Sequence, residues 1–192
     1  MKYFKRLALG GLLFAVAANV FALPLVSGTM EMSGSFYAID ASGARTSNAN
    51  NAIAIDFDFF GMDKFRVNSA EGDFSGLETV DVSTLGDIKD FQFASLPAPI
   101  SDFWVVDKFS FELKDVIRTN SSSSFIDLVG TGVITAAGFA GTDATWTLSG
   151  DTSGGGVFSW SASAEDVTGV PEPGMLALLS IGLIGLGLRK KF

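Results

Sequence analysis

The sequence predicts an all-β fold, an antiparallel β-sandwich or closed barrel, flanked by an N-terminal signal peptide and a C-terminal short transmembrane helix. Three observations predict it. Large apolar residues alternate with polar ones at a period of two through the middle of the chain. Clusters of Gly, Ser, Asn and Asp punctuate these runs. Each end is instead a continuous apolar stretch beside a small group of cations. The chain of 192 residues therefore divides into residues 1–22, 23–169 and 170–192.

The first segment opens with Lys2, Lys5 and Arg6, and an apolar run from Leu7 to Phe21 follows, broken only by Gly10, Gly11 and Asn19. Val20 and Ala22 stand at the two positions a signal peptidase inspects, which predicts cleavage after Ala22. This order implies a Sec-type translocon and signal peptidase as partners.

In the central segment, Ile53, Ile55, Phe57 and Phe59 share one strand face, with Ala54, Asp56 and Asp58 on the other. Lys108–Lys114 repeats the pattern, with Phe109, Phe111 and Leu113 inward and the two lysines balancing charge outside. Val157–Ala162 alternates again, and shorter versions fall at Phe65/Val67, Phe91/Phe93 and Trp146/Leu148. Apolar-in, polar-out alternation indicates antiparallel sheet with one wet face. Turns are predicted at 41–51, 72–73, 120–124 and 150–156. The spacing suggests eight to ten strands, with a parallel β-helix or roll as the lesser alternative. Glu165–Gly169 reads as a linker.

Composition limits the chemistry. The chain has neither Cys nor His, so thiol nucleophiles, disulfides, Ser-His-Asp triads and His-ligated metal or haem sites are excluded. Residues 23–169 hold seven Lys or Arg against 20 Asp or Glu, a net charge near −13 that repels nucleic acid and anionic lipid. No cofactor, metal or catalytic group is assigned.

The last segment begins Val170-Pro171-Glu172-Pro173. Pro173 fits the first turn of a helix, and Gly174 to Leu188 is 15 residues without a charge. At 1.5 Å per residue this spans about 22 Å, short of a roughly 30 Å hydrocarbon core. Arg189, Lys190 and Lys191 can snorkel to the interface, where the positive-inside rule keeps them cytoplasmic.

These three parts, in this order, resemble the PEP-CTERM sorting signal of Gram-negative bacteria. The resemblance implies recognition by an exosortase-like membrane protease, with cleavage near Pro171-Glu172-Pro173, and association with exopolysaccharide or biofilm matrix. It places the protein outside the cytosol, transiently anchored in the inner membrane and finally in the cell envelope, on the surface or outside the cell. Gly86–Phe91, Phe103-Trp104, Phe109–Phe111 and Gly130–Gly132 also resemble elements of small secreted proteins with this tail, which implies no activity.

Three functions fit these features: a non-enzymatic structural or adhesive protein, a hydrolase or lyase of carbohydrate using carboxylates, and a barrel holding a small apolar ligand. Asp56 and Asp58, about 6.8 Å apart along a strand, are the carboxylate pair, or with Asp63 a Ca²⁺ site; a wet strand face is the preferred explanation. Phe103 and Trp104 are the candidate carbohydrate contact, with core packing the preferred alternative.

Overall fold

Alternation produces the strands, and the longest is one whose inward residues are modest in size. In β1 (Gly28–Asp40), Met30, Met32, Phe36 and Ala38 are buried while Thr29 and Glu31 face solvent. The computed structural model describes residues 22–96, 98–120, 122–152 and 156–164, the last by backbone alone. Pro24–Asp166 holds together as one unit. The strands after β1 are β2 (Ala52–Phe57), β3 (Lys64–Ala70), β4 (Gly86–Ile88), β5 (Phe91–Gln92) and β6 (Ile100–Val106). Four more follow: β7 (Phe109–Arg118), β8 (Phe125–Ala136), β9 (Thr142–Asp151) and β10 (Gly156–Ala164).

All ten strands belong to one antiparallel sheet, ordered β10-β9-β8-β7-β6-β4-β3-β1-β2-β5. The branch at the β2 end has a simple origin. β2 and β3 lie in line along the same side of β1, Phe57 opposite Phe36 and Arg66 opposite Ser33. β5 and β4 lie in line beside them in turn, Phe91 opposite Ile55 and Gly86 opposite Phe65. β1 also pairs with β10, from Gly28↔Ala164 to Phe36↔Gly156, which brings the two flanks of the meander together.

The all-β, antiparallel expectation therefore holds. A sandwich of two separately hydrogen-bonded sheets does not, because every described strand joins one sheet. A parallel β-helix fails on strand direction, since the ladders between strands are antiparallel.

Aromatic rings fill the inward face. Phe91 and Trp146 both pack on Phe103, at 5.1 and 5.7 Å between centroids, and Trp104 stacks on Phe111 at 5.5 Å. Close approach to β8 makes room for them. A Cβ on Gly130 would lie 2.0 Å from Trp146 Nε1, and one on Gly132 would lie 2.5 Å from the Phe111 ring. Among the described residues these inward-facing rings pack directly on one another.

Ile53 and Phe59 depart from the predicted face. A register shift between Ile39 and Asp40 leaves Ala52 buried and Ile53 only partly so. Phe59 lies beyond the end of β2.

The chain enters this unit pinned. Pro24 O accepts from Ala140 N at 2.8 Å, and the buried Val26 N donates to Thr142 Oγ1 at 2.9 Å. Among the described residues no helix is long and apolar enough to cross a membrane. The predicted helix 174–188, the signal peptide up to residue 21, the linker 165–169 and the tail residues Val170–Pro173 and Arg189–Lys191 lie outside the described residues.

Candidate functional site

Asp56 and Asp58 share an outward face as predicted, but they face a cation. Arg45 Nη2 lies 3.9 Å from Asp56 Oδ2 and 3.8 Å from Asp58 Oδ2. Its guanidinium carbon sits 3.4 Å above the ring of Tyr37, the residue opposite Asp56 in the β1–β2 ladder. Asp58 Oδ1 also accepts from Gly61 N at 2.7 Å, closing the turn after β2. Two carboxylates clamped on an arginine, on an outer wall, do not form the cleft that glycoside hydrolysis requires. Among the described residues no group of three or more Asp or Glu gathers to hold a metal ion, so Asp63 does not complete a Ca²⁺ site with them. Sequence inspection missed Arg45 because it lies in a turn. An isolated bridge between Ile39 and Arg45 folds that turn back onto β1.

Asp90 is an exposed acid of this region whose carboxyl is partly desolvated by its neighbours. This desolvation pushes its pKa up, the charges of Asp56 and Asp63 add to the rise, and a hydrogen bond from Phe57 N (2.7 Å) opposes it. Asp40 and Asp81 shift the other way. Hydrogen bonds from the Ser42 hydroxyl and from the Ala44 and Ser42 amides hold Asp40 below its usual value. Bonds from the Ser83 hydroxyl and amide do the same for Asp81, which caps the 3₁₀ turn Val82–Thr84. All three serve loop geometry, as turn-forming acids do.

Phe103 and Trp104 are both 0 % exposed, which corrects the carbohydrate-contact reading. A stacking platform needs open ring faces, and these are covered by Phe91, Phe111 and Trp146. Neighbouring residues on a regular strand point to opposite faces. Here a register shift between Ile100 and Trp104, with Asp102 at φ 50°, turns both rings inward. Lys108 and Lys114 are exposed, as expected, and Lys108 Nζ sits 5.2 Å from the centroid of Phe109.

The outer face that does present polar groups is on β9. Asp143, Thr145, Thr147 and Ser149 are exposed in alternation, with Thr131 opposite Thr145 and Asp127 opposite Ser149 on β8. Ser149 Oγ donates to Asp127 Oδ1 at 2.5 Å.

After β9 the chain runs through β10 to Ala164, which pairs with Gly28 on one side and Ala144 on the other. Only a few residues of sequence separate this point from Pro171-Glu172-Pro173. Residues 169–191 match a known family. They are a PEP-CTERM protein-sorting motif. The motif takes in Val170–Pro173, the apolar stretch and the cations Arg189–Lys191. It marks an exported protein processed by an exosortase, with a membrane-anchored sorting signal consistent with a cell-envelope location. No curated protein and no solved structure matches the chain.

Proposed function

We propose that this chain is a non-enzymatic protein of the cell envelope or extracellular matrix, whose β unit has a structural or adhesive role in association with exopolysaccharide. The observation that carries the proposal is the PEP-CTERM motif attached to a compact β unit whose Asp56 and Asp58 face Arg45. In this reading signal peptidase removes Met1–Ala22 after Sec-type export. The helix Gly174–Leu188 then holds the protein at the inner membrane, with Arg189, Lys190 and Lys191 on the cytoplasmic side, until cleavage near Pro171-Glu172-Pro173. The β1–β10 ladder is read as closing the meander into a barrel, which covers the otherwise free edge of β10 while the protein waits.

The hydroxyl-rich strip of Thr131, Thr145, Thr147 and Ser149 supports contact with a neutral polysaccharide better than the buried Phe103-Trp104 pair does. Neutral sugars suit a surface whose net charge repels polyanions.

Mass mapping of the protein from cells with and without the exosortase tests the sorting half. Loss of residues beyond the Pro-Glu-Pro turn only in cells that have the enzyme is expected; an intact tail in both overturns it. Sedimentation with the producer's own polysaccharide tests the other half. Binding that falls in a Thr145→Ala/Thr147→Ala variant is expected, and absence of binding by the wild type removes the matrix role.

A further inference from the structure

Two loops on the outer wall leave a groove of about 190 Å³ lined by Arg66 with Phe59, Phe60, Val80, Val82 and Leu85. Its apolar walls are unusually open to water: Phe60 is 80 % exposed, Val80 83 % and Val82 78 %. Phe60 is also held at φ 56°, a left-handed conformation that costs a bulky residue energy. The turn that holds it is closed by Asp58 Oδ1 on Gly61 N and by Phe59 N on Met62 O. The rings of Phe59 and Phe60 stand 4.5 Å apart as one wall.

Arg66 makes no ion pair with the described residues. Asp81 also lines the groove and stays outside ion-pair distance of Arg66; its Oδ1 accepts from the amide and hydroxyl of Ser83. A guanidinium without a direct ion pair, beside a hydrocarbon surface, is complementary to an anion that carries its own apolar body. The strongly acidic remainder of the unit repels anions in general, so only one with an apolar part to bury gains here. Pockets that enclose drug-sized ligands run to about 300–1,000 Å³. This groove has room for a single ring or a short alkyl chain.

We infer that the groove over Arg66 is a binding site for a small amphipathic carboxylate, its ring or alkyl part between Phe60 and Val82 and its carboxylate on the Arg66 guanidinium. Neither the sorting motif nor the packed interior calls for such a site.

The test uses the full-length chain in nanodiscs of zwitterionic lipid, with empty nanodiscs as the blank. Binding of trifluoromethylbenzoate is followed by fluorine NMR, beside the neutral trifluoromethylbenzyl alcohol. The expected result is saturable binding of the carboxylate alone, weakened about tenfold or more by Arg66→Gln and largely retained in Arg66→Lys. Phe60→Ser weakens it as well, while Lys114→Gln, which removes a distant cation, leaves it unchanged. Tryptophan fluorescence verifies that each variant is folded. Binding of the carboxylate that is unaffected by Arg66→Gln, equal binding of the alcohol, or no saturable signal above the blank overturns the proposal.

Discussion

The indole nitrogen of Trp146 occupies the space beside Gly130 so closely that a Cβ there would approach it to 2.0 Å. The two residues are opposite one another in the β8–β9 ladder, and both face inward. Trp146 is fully buried and has no way to retreat. Gly130→Ala is therefore expected to destabilise the protein by about 1–3 kcal/mol through overpacking. Urea denaturation followed by tryptophan emission measures it, and a stability equal to wild type refutes the packing argument.

Trp104 is expected to behave as a core residue. Trp104→Ala removes a ring stacked on Phe111 and leaves a cavity, at a cost of about 3–5 kcal/mol. Any polysaccharide binding should then be lost together with the fold, as seen by circular dichroism. Selective loss of binding in a fully folded variant would restore the surface reading.

The Arg45 clamp is exposed to solvent and correspondingly weak. Its side chain is 57 % accessible, and the two carboxylates lie at the long end of ion-pair distance. Arg45→Ala is expected to cost no more than about 1 kcal/mol, including the contact with Tyr37, and the difference should shrink in high salt. A loss several times larger would show that Arg45 organises the loop 41–51 itself.

Asp90 supplies a pH signature. Its folded pKa lies above the ordinary 3.8, so the folded state binds this proton more tightly than the unfolded chain does. Its contribution is most favourable below the ordinary value and is lost as pH rises through the raised one. Asp90→Asn retains an acceptor for Phe57 N and removes the partly desolvated charge. The variant is expected to be more stable than wild type at neutral pH, with the gain vanishing on acidification. Asp40 and Asp81, with lowered values, oppose this: their stabilisation is present above 3.8 and lost as pH falls below it. Chemical denaturation of the variant and wild type at a series of pH values checks the sign.

How far the sequence could be read depended on the size of the inward residues. β7 was legible because Phe109, Phe111 and Leu113 are large and their neighbours are charged or small. β1 was not, although it is the longest strand: its inward positions include Gly34 and Ala38, and only Met30, Met32 and Phe36 mark the period. β8 was hidden in the same way. Gly130 and Gly132 are inward because rings from neighbouring strands fill their places, while Val129 and Val133 stand on the outer side. Alternation also cannot announce its own interruptions. The shifts at Ile39/Asp40 and Ile100/Trp104 moved Ile53 outward and drew Phe103 in beside Trp104. The Asp56–Asp58 spacing was legible, but Arg45, the partner that decides its chemistry, reaches it only through a turn.

The ladder between Gly28 and Ala164 joins the first strand to the last. On the Sec-type route proposed above, the chain emerges N-terminus first and exposes β1 long before its partner β10 arrives, so one flank of β1 waits, unpaired, for nearly the whole unit to cross. Seams between such distant segments form late, because loop closure precedes the contacts that reward it. Delivery of the carboxyl-terminal tail to the membrane and completion of the fold then become nearly the same event, and a molecule stalled in transit is recognisable by its missing seam.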